Sequence, residues 1–297
     1  MNISQPAKLP DPRSSEPEPG TTTTKTLVMT CTLNEIENLP RLVDEIFAFA
    51  PQVDILVIDD NSPDGTGQWC DQQTAAGRRL HCLHRSGKLG LGTAIIVGMQ
   101  YAIDHGYDYV LNMDADFSHH PRYLPAMLAG MEGNNQPLPL GEGRDDLPPR
   151  PLGDGRVSPG DSPWRGEGAA PVDVMIGSRY VPGGGTVGWP LKRKLMSRAV
   201  NLYARWLLWL KPRDISGGYR CYRVAKLKEL PFDQIRSRGY SFQEEVLWLL
   251  RRRGATFGET PILFADRERG QSKINRAEAW AALRIIFGLG LRNLAGK

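Results

Sequence analysis

Two carboxylates separated by one small residue, Asp114-Ala115-Asp116, close the apolar run Tyr109–Met113. Such a pair just past a buried strand suits a divalent cation, because two hard oxygen donors converge from one short loop. Acidic residues at strand ends also serve as solvated turn or cap groups, so the dyad alone leaves both readings open. It is not the only polar cluster in such a place. Asn34-Glu35 follows the run Leu27–Thr32, Asp59-Asp60 closes Ile55–Ile58, and Ser178-Arg179 follows Val172–Ile176.

The elements that must position these groups are legible from pattern. The four apolar runs and Leu80–His84 have the length and β-branched content of buried strands. Helical stretches fall between them, over Asn38–Phe49, Gln68–Ala76 and Gly90–His105. Strands alternating with helices predict βαβ units and a mainly parallel sheet. Ligands of such sheets sit beyond the carboxyl ends of the strands, where all four clusters fall. The loop Asn61-Ser62-Pro63-Asp64-Gly65 is turn chemistry. An Asx-type turn there is the plain alternative to a binding role for Asp59 and Asp60. For Glu35 the alternative is a carboxylate favoured by a helix start.

Downstream the pattern changes. Leu191–Leu210 is amphipathic, with Leu195, Ala199, Leu202, Trp206 and Trp209 at helical spacing and Lys194, Arg198 and Arg205 beside them. Arg193 and Ser197 are four apart and so are neighbours on another face. A basic helix flanked by tryptophans suits a membrane surface; packing of its apolar face on the sheet is the competing reading.

Length and composition bound the rest. The chain has 297 residues and a net charge of +4. Residues 1–25 are too polar to offset chain entropy and are expected to be a disordered tail. They lack the basic start and apolar core of a signal peptide. Residues 134–170 are dense in Gly, Pro, Asp and Arg, with a near repeat of Pro139–Arg144 at Pro151–Arg156, and are expected to be a low-complexity insertion. The remainder fits one α/β domain over 26–275, followed by an amphipathic segment at 276–297. No dense basic patch with readout residues argues for nucleic acid. Cys31, Cys70, Cys82 and Cys221 have no metal-ligand spacing and are expected to be reduced thiols. No apolar run reaches the length of a spanning helix.

The segments CTLNEIENL, ILVIDDNSPDGTG, HRSGKLGLGTA, NMDADFSHHP, IGSRYVPGGG, KRKLMSRAVN, DISGGYRCYR, SFQEEVLWLLRRRG and ETPILFADRERGQSKI occur in this order. Together they resemble the dolichol-phosphate and polyprenol-phosphate mannose synthases, inverting family 2 glycosyltransferases of the Rossmann-like GT-A fold. The resemblance runs from Thr26 to Ile274, leaving out the insertion. It implies transfer of mannose from GDP-mannose to a polyprenyl phosphate, giving a β-linked product. Glucosyl transfer from UDP-glucose is the alternative, and an inactive sugar-nucleotide-binding protein a more distant one.

The resemblance also implies roles. Asp114 and Asp116 would hold Mg²⁺ or Mn²⁺, which neutralises charge on the departing diphosphate. Asn34, Glu35, Asp59, Asp60, Lys88, Ala115, Arg267 and Lys273 would join them around the nucleotide sugar. Arg179, Arg193 and Ser197 would hold the acceptor phosphate, with Arg179 and Arg267 taking part in the transfer. Arginine suits this work through its planar fork of donors. A phosphate acceptor is already ionised, so no general base is required. Asp214, Ser216, Gly217, Glu244 and Glu245 occupy family segments with open roles, and His119-His120 is expected to shape the loop rather than bind the metal. Relatives reach the membrane through added helices or a small anchor subunit. The expectation here is a peripheral protein on the cytoplasmic face, docked by Leu191–Leu210 and the C-terminal segment, with an anchor partner as an option.

Overall fold

Strand β1, Thr26–Thr32, is buried along nearly its whole length, as a central strand covered on both faces must be. Its side chains alternate between two cores. Leu27 and Met29 join Leu56 and Ile58 on one face of the sheet; Val28 joins Ile55 and Val57 on the other. The structure, a computed structural model, describes residues 24–134, 170–237, 239, 241–266 and 276–294. The tail, most of the insertion, Arg267 and Lys273 therefore lie outside the described residues.

The first half is a run of βαβ units: α1 (Leu39–Phe49), β2 (Asp54–Asp59), α2 (Thr66–Ala75), β3 (Leu80–His84), α3 (Leu91–Asp104), β4 (Tyr109–Asp114) and α4 (Leu124–Met131). Pro40 sits in the first turn of α1, where its missing N–H costs nothing. Leu39, Leu42, Val43 and Ile46 then form the buried stripe of that helix. Helix α3 lies so close to β1 that a Cβ on Gly98 would sit 2.5 Å from the Met29 sulfur.

The second half adds β5 (Val174–Ser178), β6 (Gly185–Val187), α5 (Leu191–Leu208), β7 (Arg220–Arg223), α6 (Val224–Leu227), α7 (Phe242–Arg252), β8 (Phe257–Pro261), β9 (Leu263–Ala265) and α8 (Arg276–Leu294). The main sheet has seven strands in the order β3-β2-β1-β4-β7-β5-β8. Only β7 runs antiparallel, to both β4 and β5. β6 and β9 form a separate parallel pair. The order reverses between β1 and β4, and that reversal opens a crevice beyond their carboxyl ends. Thr32 and Asp59 are paired there, as are Cys31 and Asp114.

Helix α5 departs from the sheet-packed reading. Its buried residues are Asn201, Ala204 and Leu208. The apolar face faces outward instead: Leu195 is 57% exposed, Leu202 65%, Trp206 75% and Trp209 57%. The reason is local: Asn201 bonds Ser216 and the Ile215 N–H, which turns that side of the helix inward. On the far side of the helix, α8 packs closely enough that a Cβ on Gly290 would meet the Leu207 side chain. No helix among the described residues is long and apolar enough to cross a membrane.

Candidate active site

The loops after β1 and β2 are built together. Asn34 and Asn61 both take positive φ, which asparagine tolerates. The Asn34 N–H donates to Ser62 Oγ at 2.9 Å, that of Glu35 to Thr66 Oγ1 at 3.1 Å, and that of Ile36 to Asp64 at 3.1 Å. Asp59 is 2% exposed. Its carboxylate accepts from the Thr32 hydroxyl at 2.8 Å, the Ser62 hydroxyl at 2.5 Å and the Ser62 N–H at 2.9 Å. Asp59 thus fixes the loop that presents Asp60.

Asp60 pairs with Arg85 at 2.9 Å, both side chains nearly buried. Arg85 is held in turn by Thr93 Oγ1 at 2.7 Å. Burial pushes the Asp60 carboxyl above its ordinary range, while Arg85, and more weakly Lys88, pull it back. Lys88 itself is exposed. Glu35 accepts from the Asn38 amide at 2.8 Å, so it braces the entrance of α1.

The Asp114-Ala115-Asp116 loop is held from below. The Asp114 N–H donates to His119 Nδ1 at 3.1 Å, and the Asp114 carboxylate lies 3.4 Å from the same nitrogen. His119 is 2% exposed and stacks on Tyr219 with centroids 5.0 Å apart. A ring nitrogen that accepts from a backbone N–H is taken up, so Nδ1 of His119 orients the dyad rather than binding a metal. His120 turns the other way, accepting the Arg122 N–H at 3.2 Å and facing Glu45 at 3.6 Å. Asp116 accepts from the Ser118 N–H at 3.1 Å. Phe117 between them has φ +63°, costly for a bulky residue. Strain of this kind is of order 1–3 kcal/mol and persists where its surroundings impose it. Ala115 is buried, and the Asp114 side chain stands 38% exposed at the mouth.

At the end of β5 the chemistry reverses sign. Arg179, 8% exposed, donates to Asp214 through Nε and Nη2, both at 2.7 Å, and through its backbone N–H at 3.0 Å. Nη2 also reaches Ser216 Oγ at 2.9 Å. Asp214 is fully buried; burial alone would raise its pKa, yet Arg179 holds it below the ordinary carboxylate value. The Arg179 guanidinium lies 5.6 Å from both the Trp189 and Phe264 rings. Arg193 lies 3.9 Å over the same Trp189 and bonds Asp266 at 2.9 Å. Ser197 accepts from the Tyr180 hydroxyl at 2.7 Å. Arg179, Arg193 and Ser197, far apart in sequence, are thereby gathered around Trp189 and Tyr180.

One aromatic wall joins the two halves. Phe264 meets His119 edge-on at 5.4 Å and Trp189 at 5.5 Å. The small β6–β9 pair places Trp189 and Phe264 side by side, and the sequence pattern marks neither residue.

Nor does it mark Asn112 and Arg220, paired in register across β4 and β7. Arg220 is completely buried and donates to the Gln243 and Ile215 carbonyls. The segment DISGGYRCYR contains it, but nothing in that text marks a strand antiparallel to both neighbours. Of the two helix-start glutamates, Glu245 caps the 236–237 backbone at 2.8–3.2 Å. Glu244 faces the Arg179–Asp214–Arg220 network, and burial pushes its carboxyl up to about 7.

A mostly parallel sheet carrying an acidic dyad at its switch point, opposite a buried arginine cluster, defines a glycosyltransferase of the GT-A type. Comparison with known proteins agrees. Residues 27–142 match the Glycosyl transferase family 2 model. The undecaprenyl-phosphate mannosyltransferase of Micrococcus luteus is 38% identical over 89% of this chain and 100% of its own length. The polyprenol monophosphomannose synthase of Mycolicibacterium smegmatis is 35% identical over 91% and 88%. Glucosyl-3-phosphoglycerate synthase from Mycobacterium tuberculosis, solved with uridine diphosphate, shares the fold with a TM-score of 0.55 at 17% identity, covering 90% of this chain and 80% of that one. The chain belongs to the polyprenyl-phosphate mannose synthases of glycosyltransferase family 2.

Proposed function

We propose that this enzyme transfers mannose from GDP-mannose to a polyprenyl phosphate with inversion at the anomeric carbon, yielding a β-linked polyprenyl phosphate mannose. The observation that carries the reading is the shared wall: the Phe264 ring touches His119 beneath the acidic dyad and Arg179 of the cationic cluster. Two sites of opposite charge preference, one for a cation-bridged diphosphate and one for a phosphate monoester, are thus held one ring apart. Identity of 35–38% over about nine-tenths of the chain to an undecaprenyl-phosphate mannosyltransferase and a polyprenol monophosphomannose synthase supports the mannose and polyprenyl-phosphate parts of that reading.

On this reading the nucleoside lies over the β1 and β2 loops, near Asn34, Glu35, Asp60 and Lys88, with Asp59 holding the turn. The donor set at Asp114 and Asp116 is two carboxylates, hard oxygens that fit Mg²⁺ or Mn²⁺. When bound, that ion supplies charge neutralisation for the departing diphosphate. Arg179 and Arg193 hold the acceptor phosphate with Ser197, so an anionic oxygen faces the anomeric carbon from the side opposite the leaving group. Asp214 keeps Arg179 in one rotamer, which limits the reorientation needed at the moment of transfer. No side chain has to remove a proton. Arg267 and Lys273 would close over the phosphates.

We further infer a peripheral seat on the membrane. Helix α8, which packs on α5, exposes Phe287 and Leu291 as well, each 51%. Beside it a cleft of about 500 Å³ is lined by Arg179, Arg198, Arg205 and Arg213. Apolar side chains beside arginines suit an anionic leaflet, whence the lipid acceptor would arrive.

The test incubates the purified protein with radiolabelled GDP-mannose or UDP-glucose, a polyprenyl phosphate, and Mg²⁺ or Mn²⁺. Label is expected in the lipid phase from GDP-mannose. Label from UDP-glucose alone would replace the mannose reading with the glucose one.

A further inference from the structure

A second set of metal-ligating side chains stands outside the active site, between α2 and β3. Cys82 and His84 are two apart on β3 and so share a face of that strand. Cys70 and Asp71 lie on α2, which packs against β3. Cys82 Sγ is 4.0 Å from His84 Nδ1, and His84 Nε2 is 2.9 Å from Asp71 Oδ1. One ligand atom from each of Asp71, Cys82 and His84 lies within 4.8 Å of the other two. The buried Cys70 thiol lies near that of Cys82.

We propose that Asp71, Cys82 and His84 form a site for a thiophilic divalent cation of the Zn²⁺ class, and that its occupation weakens binding of the nucleotide-sugar donor. The chemistry is selective. Thiolate and imidazole favour Zn²⁺ over Mg²⁺ or Mn²⁺, whereas the all-oxygen dyad at Asp114 and Asp116 has the opposite preference. Asp71 on Nε2 of His84 is the carboxylate–imidazole arrangement that orients a metal-binding histidine, leaving Nδ1 to face the Cys82 sulfur. On binding, Cys82 forms the metal–sulfur bond and its proton passes to solvent; no redox step is involved. His84 is half exposed, so the cation has a way in.

The link to the donor site is short. His84 is the register partner of Asp59. A Cβ on Gly67 would lie 2.9 Å from the His84 ring and 3.1 Å from the Asp59 carboxylate, so the two side chains border one glycine-sized space. A divalent charge held on His84 competes for Asp59, whose bonds to Thr32 and Ser62 fix the loop bearing Asp60. That consequence rests on the donor reading above; the metal site does not.

Binding is therefore tested without catalysis. The full-length protein is titrated with Co²⁺, followed by the thiolate-to-cobalt charge-transfer band, and the band is then chased with Zn²⁺. One equivalent is expected to give the band in the parent and in Asp114→Asn, and none in Cys82→Ser or His84→Gln. Absence of the band in the parent, or its survival in Cys82→Ser, overturns the site. The kinetic arm adds stoichiometric Zn²⁺ at saturating Mg²⁺. The donor KM should rise several-fold in the parent and stay constant in Cys82→Ser. Binding without a KM change overturns the regulatory half alone, and a KM change that persists in Cys82→Ser assigns the inhibition to the dyad instead.

Discussion

The donor and acceptor halves of the site solve opposite electrostatic problems by different means. The donor half gathers carboxylates, and apart from Thr32 on Asp59 and Arg85 on Asp60 it holds them with neighbours close in sequence: Ser62 on Asp59, Ser118 on Asp116, Asn38 on Glu35. The acceptor half gathers guanidinium groups, and it holds them with partners far away in sequence: Asp214 for Arg179, Asp266 for Arg193, the Gln243 carbonyl for Arg220. Short loops aim carboxylates at the mouth of a crevice with backbone N–H groups. The buried Arg179 guanidinium takes its counter-charge, Asp214, from another part of the chain, because uncompensated burial of charge is costly. Asp116 can therefore be replaced by an amide that keeps its Ser118 bond, whereas loss of the Asp214 charge strands Arg179.

The largest expected effect tests that asymmetry. Asp214→Asn strands the Arg179 charge in a buried site and should cost about 3–5 kcal/mol of stability, read as a lowered denaturant midpoint together with lost transfer. Pairing it with Arg179→Met should return most of the stability and none of the activity. A single Asp214→Asn variant as stable as the parent would remove the distinction between the halves.

Asp116→Asn comes next and should behave in the contrary way. Transfer is expected to fall roughly a hundred- to a thousandfold, the range for losing one charge-stabilising group. Folding should hardly change, because the Ser118 N–H keeps an oxygen to donate to. Lipid-phase label and thermal unfolding measured on the same preparation check both halves of the statement. Full transfer by this variant would remove the dyad from the donor reading.

The same contrast explains which parts of the molecule are legible in the sequence. The donor half is visible because its groups sit in short loops directly after apolar runs, where residue type and position mark Asp59-Asp60 and Asp114-Ala115-Asp116 as candidate ligands. β7 is not visible. It is four residues long, runs against both neighbours, and carries a charged residue, Arg220, at a fully buried position. Trp189 and Phe264 escape notice because the pairing of β6 with β9 spans more than 70 residues and has no periodic signature. Arg179, Arg193 and Ser197 come from family resemblance alone; their spacing shows only that two of them share a helix. The apolar stripe of α5 is plain in the sequence, yet its direction depends on Asn201, a single polar residue whose buried bonds turn the stripe outward.

Glu244 sharpens the comparison further, since it is, with Asp214, a carboxylate buried among the guanidinium groups. Burial pushes its pKa to about 7, above the ordinary 4.5. Between those values the folded protein keeps a proton that the unfolded chain has released. This group's contribution to stability therefore falls as pH rises through that window and levels off above it, by up to about 3 kcal/mol. Glu244→Gln keeps the neutral shape at every pH. Its unfolding midpoint should match the parent near pH 5 and exceed it at pH 8. Equal midpoints for both proteins across that range would place Glu244 in a water-accessible position rather than beneath the Arg179–Asp214 pair.

The smallest expected effect concerns what lies outside each half. The donor side exposes Leu33, Leu89 and Leu91 in and beside its loops, whereas the acceptor side exposes Leu195, Leu202 and Trp206 on the one helix α5. If that face seats on a lipid surface, Leu202→Glu with Trp206→Glu should weaken flotation with anionic vesicles about tenfold, a change of roughly 1.4 kcal/mol. Each side chain alone is worth about 1.5–3 kcal/mol when fully buried, so a tenfold change corresponds to shallow insertion rather than deep anchoring. Phe49→Glu, at a 37% exposed residue on the donor side, is the matched control and should float like the parent. Transfer to a short-chain acceptor in detergent should be unaffected by Phe49→Glu or by Trp206→Glu alone, whereas Leu202 lines the cleft that holds Arg179. If the α5 variant floats as well as the parent, the outward apolar face belongs to a protein partner, and the acceptor half reaches its lipid through that partner.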